Sequence, residues 1–387
     1  MKSNKFLLFI LTIEILGCFL FQNVNQVMAR FTSLLSFFAL VFMAGEGLYH
    51  RSLKTGKTMM AQLMGDGEAM VVFAGCFLAL LNLFIIGSNK GAFLTAADLL
   101  IMCYVARRCV FTLREKLYIT ALCSALLIWW YCTVRWYFNF NMTGIIFMLT
   151  AFMSMLLMEM LKEHFGDMKY LSFVQVVQYI VATLLCLLYH ARCVLLGMIV
   201  FGLLYFIMPY VSKSRWLRVA LVSSVTAGSL LFTLFYMLLD RMGVSITFLY
   251  KDILSGRQDI WRELWEAFLS MPLTGIGSSY HLKSFFIFEV HNGLFDILAV
   301  HGLPVFLCVM YLLCKRLYEA LCSYDGSVYS RICLCAVFVI LFISFFENFF
   351  INSPYLLFLL FYLRSAGAPH KNTGKDINGG LQSGEDI

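Results

Sequence analysis

Long apolar runs separated by short polar segments dominate the chain. Runs of about 20 apolar residues have the length of a helix that crosses a lipid bilayer. Twelve such spans are predicted, at residues 6–21, 31–49, 69–86, 92–106, 117–134, 143–161, 171–189, 193–211, 219–239, 291–314, 331–351 and 353–363. The pattern therefore predicts an all-α fold, a polytopic transmembrane helical bundle of about 12 spans.

The segment 240–290 interrupts this pattern with charged residues and a different periodicity. Its apolar positions recur at helical spacing, with charged residues between them: Trp261, Leu264, Trp265, Phe268 and Leu269. An amphipathic helix is predicted from about Gly256 to Met271, with Ser255 and Gln258 as a capping box and Pro272 at its end. Its tryptophans are typical of a helix lying at the headgroup level of a membrane.

Composition excludes a soluble globular protein. Hydrophobic residues make up 61% of the chain and charged residues only 13%, too few polar groups to cover a water-exposed surface. The first run, which follows Lys2 and Lys5, lacks a small-residue cleavage site and is interpreted as a retained span. The polar, glycine-rich residues 365–387 are predicted to be a disordered cytoplasmic tail, which leaves 1–364 as the membrane domain.

The distribution of basic residues predicts the orientation of the spans. With a cytoplasmic N-terminus, the inside segments hold 20 of the 29 Lys and Arg residues, at least two in each. Each short outside loop holds one: Arg30, Lys90, Arg135 and Arg192. By the positive-inside rule, both termini are cytoplasmic and the loop 240–290 is external.

Cysteines and repeats point to no further chemistry. None of the 13 cysteines falls in the loop 240–290, and no Cys or His spacing indicates a metal site. No internal repeat is visible, which weakens the alternative of a transporter or flippase for lipid-linked sugars.

Candidate chemistry is concentrated around the external loop. Arg257 lies at the start of the amphipathic helix, where free backbone amides favour a phosphate group. Gly275 and Gly277 allow a sharp turn or a close approach of the backbone to a ligand. His291 and Asn292 follow at the mouth of the tenth span, where an imidazole could accept a proton. A further carboxylate, Glu347, lies near the outward end of the eleventh span and requires a partner, with an arginine favoured.

Two stretches carry a family resemblance: "SGRQDIWRELWEAFLSMPLTGIGSSY" and "HNGLFDILAVHGLP". Their order of Arg, Trp-containing helix, PLxGxG and HN resembles the O-antigen ligase and polysaccharide polymerase superfamily, over roughly residues 255–315. The resemblance implies a membrane-embedded glycosyltransferase of the GT-C type. Such an enzyme transfers a glycan from undecaprenyl diphosphate to a sugar hydroxyl at the outer face of the bacterial cytoplasmic membrane, with inversion and without metal or cofactor.

The resemblance also implies roles for individual residues. Arg192 and Arg257 would bind the diphosphate, because a guanidinium group grips phosphate oxygens through two N–H groups and stays charged. His291 would engage the acceptor hydroxyl, with support from Asn292. The family's Ser before the first arginine is replaced by Ala191 in "YHARCVLLG", and His301 in "AVHGLP" is given no role.

Several functions remain open at this stage. Polymerisation of lipid-linked oligosaccharide repeat units into capsule, exopolysaccharide or O-antigen is favoured, with a flippase and a chain-length regulator as partners. The alternatives are a ligase that transfers glycan to another acceptor, a transporter, and a structural membrane-assembly protein. No nucleic-acid partner is expected.

Overall fold

A computed structural model describes residues 26–88, 90–107, 111–134, 140–166, 169–244, 247–248, 251–252, 256–283, 290–351 and 353–366. Its first seven helices are α1 (Gln26–Thr55), α2 (Met59–Met64), α3 (Gly67–Ile85), α4 (Lys90–Ala106), α5 (Leu113–Val134), α6 (Phe140–Phe165) and α7 (Lys169–Leu188). The next seven are α8 (Arg192–Val211), α9 (Arg215–Val225), α10 (Ala227–Arg241), α11 (Arg257–Ser270), α12 (Gly293–Cys322), α13 (Val328–Ile343) and α14 (Ser353–Ala366). Two-residue strands, β1 (Thr247–Phe248) and β2 (Lys251–Asp252), pair antiparallel in the long loop. The predicted all-α, polytopic bundle is confirmed.

Five helices in the described residues are long and apolar enough to cross a membrane, and a sixth span results if α9 and α10 count as one. These two helices meet at an angle of 50°, so the predicted span 219–239 is not one straight helix but a broken span or a re-entrant loop. The predicted span 6–21 lies outside the described residues. The other predicted spans coincide with helices, except that the α-helix in the predicted span 331–351 ends at Ile343. The total of twelve stays a prediction.

The bundle is centred on helices that are buried on most sides. α13 and α14 are apolar around their whole circumference, and nearly all their described side chains are buried. A helix that is hydrophobic on every side requires cover on every side. By contrast, α7 leaves large apolar side chains uncovered, such as Phe173, Val176 and Leu188, as expected for a helix that faces lipid.

A buried ion-pair network joins four helix ends at one end of the bundle. Asp66 accepts hydrogen bonds from Arg51 and Arg107 at 3.1 and 3.2 Å. Glu68, at the start of α3, accepts one from Arg316 of α12 at 2.7 Å, and both side chains are at most 4% exposed. Buried charges are tolerated only when they are paired, so this network fixes α1, α3, the end of α4 and α12 against one another.

At the other end, α12 is broken at Gly302. This residue has φ 79° and ψ 171°, a conformation that is open essentially to glycine. Pro304 explains the break, because it has no N–H group for the carbonyl of Val300 and its ring would clash with that carbonyl in a continuous helix.

The segment Pro272–Gly277 replaces the backbone bonds that the break removes. Leu303 N–H donates to the carbonyl of Pro272 at 2.8 Å. In return, Ile276 and Gly277 donate to the carbonyls of Ala299 and Val300 at 2.8 and 3.1 Å. The side chain of Asn82 on α3 donates to the carbonyl of His301 at 2.8 Å. We call this arrangement the clasp. The PLTGIG stretch is needed beside the broken helix because it supplies backbone partners that the break removes.

The predicted amphipathic helix exists, at Arg257–Ser270. Its N-cap is Gly256, in the left-handed conformation, and Ser255 of the predicted capping box lies outside the described residues. Trp261 is fully buried and donates its indole N–H to the carbonyl of Val290. The side chains of Trp261, Leu264 and Phe268 therefore pack on protein, chiefly on α10 and α12, while Leu269 is exposed. The position of α11 at the headgroup level stays a prediction.

The final helix extends slightly into the predicted tail. Ser365 and Ala366 are buried in α14, and Lys116 and Ser330 donate hydrogen bonds to their carbonyls. Residues 367–387 lie outside the described part of the chain.

Candidate functional site

The carboxylate of Glu347 lies at the centre of a polar cluster at the clasp end of the bundle. Its Oε1 atom accepts a hydrogen bond from Nη2 of Arg257 at 2.9 Å and another from Asn141 at 2.7 Å. Its Oε2 atom lies 2.9 Å from Nδ1 of His291. The arginine and the histidine predicted from the motif thus meet on opposite oxygens of one carboxylate. We call Arg257, His291 and Glu347 the carboxylate triad.

The position of Glu347 follows from the end of α13. The sequence placed it within a span, but the helix ends at Ile343, and residues 344–347 form a turn. Gly293, the first residue of α12, donates its N–H to the carbonyl of Ser344 at 3.1 Å. A Cβ atom at Gly293 would lie 2.5 Å from Ser344 Oγ. Only glycine therefore permits this approach, which brings His291 within reach of Glu347.

Asn292 is fully buried and holds the start of α12 in place. Its Oδ1 atom accepts from Phe295 N–H and from the Ser229 hydroxyl, both at 3.0 Å. Its Nδ2 atom donates to Thr233 Oγ1 at 3.1 Å and to the Ser229 carbonyl at 3.3 Å. Both polar atoms of its amide are thus used within the protein. Asn292 supports the site by positioning the neighbouring His291.

Aromatic packing fixes the turn that carries Glu347. Phe232 of α10 contacts Phe345 and Phe346, with ring centroids 5.7 and 5.0 Å apart. The same ring contacts Trp261 of α11 at 6.1 Å. The helix that carries Arg257 and the turn that carries Glu347 are therefore packed on a common aromatic side chain.

Arg192 is the first residue of α8 and lies at the same end of the bundle as the triad. The thiol of its neighbour Cys193 is within electrostatic range of both Glu347 and Arg257. Further along, α8 crosses α13 closely at Gly197, where an added Cβ would lie 2.7 Å from Ile343. The structure therefore places the beginning of α8 beside the turn that carries Glu347.

Two histidines on this side of the molecule have left-handed backbones. His190 and His291 both have φ 54°, a region that costs a non-glycine residue roughly 1–2 kcal/mol. Such strain persists only where surrounding contacts enforce it, and it is concentrated at functional sites. For His291 those contacts come from Asn292 and Gly293, which follow directly in the chain.

The charge at the site does not come from two arginines alone, because the carboxylate of Glu347 contacts both Arg257 and His291. The side chains of Arg257 and Glu347 are 14% and 10% exposed, and His291 is 27% exposed. The carboxylate of Glu347 offsets the charge of Arg257, with which it forms an ion pair. The cluster can therefore combine an anion-binding guanidinium with an imidazole oriented by a carboxylate.

The two motif glycines belong to the clasp. A Cβ atom at Gly275 would lie 2.5 Å from the N atom of Gly302, and one at Gly277 would lie 2.7 Å from Ser88 Oγ. Both have positive φ angles, 71° and 72°. They give a close approach of the backbone, as predicted, but the approach is to α12 and to Ser88, so they support the site from a distance.

Sequence reasoning missed Asn141. It lies in the first turn of α6, far in the chain from the motif, and reaches Glu347 across the bundle. Its only sequence signal is an amide in the aromatic stretch "YFNFNM" at the predicted external end of a span, where a polar side chain needs a partner.

These features define a class of protein: a polytopic helical membrane protein with a polar triad built where α11, α12 and the end of α13 meet. Within the described residues, no group of three or more His, Cys, Asp or Glu side chains is arranged to hold a metal ion. The triad is the arrangement expected for binding an anionic group next to a site of proton transfer.

Residues 178–310 match the family model described as O-antigen ligase. The matched segment holds Arg192, Arg257 and His291, so the predicted resemblance to the O-antigen ligase superfamily is confirmed over these residues. The match supports a membrane enzyme of the O-antigen ligase or polymerase type. No match was found among curated proteins or among solved structures. Glu347 and Asn141 lie outside the matched residues.

Proposed function

We propose that the protein polymerises oligosaccharide repeat units carried on undecaprenyl diphosphate into a surface polysaccharide. The reaction takes place at the outer face of a bacterial cytoplasmic membrane, with the triad on the extracytoplasmic side and both termini in the cytoplasm. The observation that carries the proposal is the triad itself, in which Glu347 holds Arg257 and His291 together. The family match supports a glycan-transfer enzyme of this general type.

In the proposed reaction, His291 engages the hydroxyl of the acceptor sugar. When Nδ1 carries a proton and donates a hydrogen bond to Glu347, Nε2 presents a lone pair to the hydroxyl. The hydroxyl oxygen bonds to the anomeric carbon, the bond from that carbon to the diphosphate breaks, and the hydroxyl proton passes to Nε2. Attack from the side opposite to the leaving group inverts the anomeric configuration.

Arg257 and Arg192 bind the diphosphate in this scheme. Charge grows on the leaving group as its bond to the sugar breaks, and a guanidinium at about 4 Å stabilises it by about 4 kcal/mol at an effective dielectric constant of 20. Arg257 bonds Glu347 through Nη2, so its other N–H groups are assigned to phosphate oxygens. No metal ion or nucleotide takes part in the proposed step.

A second candidate function is ligation of a finished glycan to a different acceptor, such as a lipid core or a protein. The description of the matched family, O-antigen ligase, favours this candidate. Both reactions use the same donor chemistry and differ in the acceptor. A flippase that delivers the donor and a chain-length regulator are the partners proposed for the polymerase.

Reconstitution of the full chain with undecaprenyl-diphosphate-linked repeat units tests the proposal. A polymerase gives a ladder of products, together with free undecaprenyl diphosphate. A single transfer that requires a separate acceptor would instead establish a ligase. The outcome that contradicts the proposal is a folded protein that forms neither product. If adding a chelator or a divalent metal does not restore product formation, the proposed donor is wrong.

Variants of the proposed site residues, compared with variants of exposed residues, test which side chains take part in the reaction. Arg257→Gln and His291→Ala are expected to abolish product formation, and Arg192→Gln to raise the KM for the donor. Arg241→Gln, at the end of α10, and His281→Ala serve as controls, because both side chains are exposed. Full activity of both Arg257→Gln and His291→Ala would overturn the site assignment.

A further inference from the structure

A cavity of 410 Å³ lies in the half of the bundle opposite to the triad. Its lining comes from the second halves of α6 and α8, the first half of α7 and the first turns of α13. The triad, by contrast, lies near the beginnings of α6 and α8 and the end of α13. The two sites are therefore at opposite ends of the same helices.

The cavity opens sideways, toward the lipid-facing surface of the bundle. Its floor is apolar and buried, with Phe201 and Ile332 at most 2% exposed. Its rim consists of exposed apolar side chains: Val176, Ile180 and Phe206 are 56%, 48% and 74% exposed. A volume of this size is typical of ligand sites. Filling it with hydrocarbon is favoured, because water in an apolar recess lacks hydrogen-bond partners.

One end of the cavity is polar, but its charges are already neutralised. Lys162 donates to Glu159 at 2.6 Å and to Gln175 at 2.7 Å. Gln175 in turn donates to the same oxygen of Glu159 at 2.7 Å. This closed network carries no net charge, and it limits how far a hydrocarbon chain can extend into the polar end.

Arg331 adds an uncompensated positive charge beside the cavity. It is adjacent in sequence to Ile332, and its guanidinium lies 5.0 Å from the ring centroid of Tyr205, which lines the cavity. Its Nε atom donates to the hydroxyl of Tyr324 at 3.0 Å. Among the described residues, no carboxylate lies within ion-pair distance of this guanidinium. Its two terminal amino groups can therefore bind an anion.

We propose that this cavity binds an anionic glycerophospholipid, with one acyl chain in the recess and its phosphate on Arg331. An apolar recess that opens to the bilayer next to a net positive charge has the composition of an anionic-lipid site. With the predicted orientation, the lipid belongs to the cytoplasmic leaflet. The site holds α6, α7, α8 and α13 together at the end remote from the triad, and it does not depend on the proposed reaction.

Native mass spectrometry of the full chain in a mild detergent tests this proposal. The probes are phosphatidylglycerol, phosphatidylethanolamine and undecaprenyl phosphate, the first two with identical acyl chains. The wild type is expected to retain phosphatidylglycerol in preference to the other two. Arg331→Gln should weaken phosphatidylglycerol binding about fivefold, the factor that one basic residue near an anionic lipid surface provides. Arg331→Lys, which keeps the charge, should retain the preference for phosphatidylglycerol.

Controls separate the cavity from general attraction to basic residues. Arg215→Gln removes an exposed cation at the same end of the bundle and should leave the preference intact. Val176→Trp places a bulky side chain on the rim and should lower adducts of both phospholipids, whereas Val219→Trp, at an exposed position on α9, should not. Phosphatidylglycerol with a photoactivatable acyl chain should label the peptides that contain Val176 and Phe206 in the unmodified protein.

Four results would overturn the proposal. The first is equal retention of phosphatidylglycerol and phosphatidylethanolamine by the wild type. The second is an unchanged preference in Arg331→Gln. The third is displacement of phosphatidylglycerol by an equal concentration of undecaprenyl phosphate, which would assign the cavity to the carrier lipid instead. Photolabelling confined to other helices would exclude the cavity without any need for a variant.

Discussion

His291 Nδ1 lies 2.9 Å from Glu347 Oε2, although 56 residues separate the two in the chain. The carboxylate can fix the tautomer and orientation of the imidazole, and it holds Arg257 through its other oxygen. In enzymes that use a carboxylate and a histidine in this way, the carboxylate acts through the histidine. Glu347 is therefore a positioning residue in the proposed reaction.

Glu347→Gln is expected to lower kcat by about two to four orders of magnitude, because an amide cannot orient the ring in the same tautomer. The KM for the donor should rise less, and the dependence of kcat on pH should change. Glu266→Gln, on the exposed side of α11, is the matched control. Single-turnover rates in reconstituted vesicles measure the effect, and an unaltered kcat would remove Glu347 from the mechanism.

Asn292→Ala should destabilise the protein by about 2–4 kcal/mol. The change removes the N-cap of α12 and leaves the buried groups of Ser229 and Thr233 without their amide partner. Ser327→Ala provides the comparison, since Ser327 caps α13 through its side chain alone and should cost about 1 kcal/mol. Thermal unfolding in detergent ranks the two, and equal losses would contradict the positioning role of Asn292.

Gly275→Ala should disrupt the clasp. The new Cβ would meet backbone atoms of Val300 and Gly302 at 2.5 Å, and with the left-handed strain the loss of stability is about 2–5 kcal/mol. Gly243→Ala has a similar positive φ of 66° but open space around it, so only the strain of about 1–2 kcal/mol applies. The difference in unfolding temperature between these two variants isolates the close contact. Equal shifts would show that the clasp tolerates the added atom.

Glu68→Ala should destabilise the far end of the bundle by about 3 kcal/mol, because Arg316 is only 3% exposed and loses a buried partner. Glu319→Gln removes a partner of the same arginine that is itself 46% exposed, and its effect should be below about 1 kcal/mol. Unfolding temperatures at low and high salt measure both losses. A loss for Glu68→Ala that disappears in high salt would mean that the network is accessible to water.

Hydropathy predicted the helices well because bilayer-length apolar runs have few alternative structures. It could not predict where a helix breaks. The break in α12 depends on Gly302 and Pro304. It also depends on the backbone N–H groups of residues 276 and 277, which donate to α12 from a separate segment of the chain. The bend at Thr226 has no proline or glycine at that position to announce it. The number of spans and their orientation remain predictions.

The motif residues Arg257 and His291 could be found from the sequence because they lie in a recognisable local order. The point where they meet could not be predicted, because it depends on residues far away in the chain. Glu347 lies 90 residues after Arg257, and Asn141 lies 206 residues before Glu347. The surroundings of Trp261 could not be predicted from the sequence either. A tryptophan on an amphipathic helix has the same pattern whether lipid or protein covers it, and only the packing of α10 and α12 decides.

The two attachments of α3 to α12 have a mechanical consequence. Glu68 bonds Arg316 near one end, and Asn82 bonds the carbonyl of His301 near the other, so the attachments are about 21 Å apart along α3. A slip of one helical turn, about 5.4 Å, would break both at once. These two helices therefore form a stationary frame, and room for the proposed glycan substrate must come from movement of helices outside it.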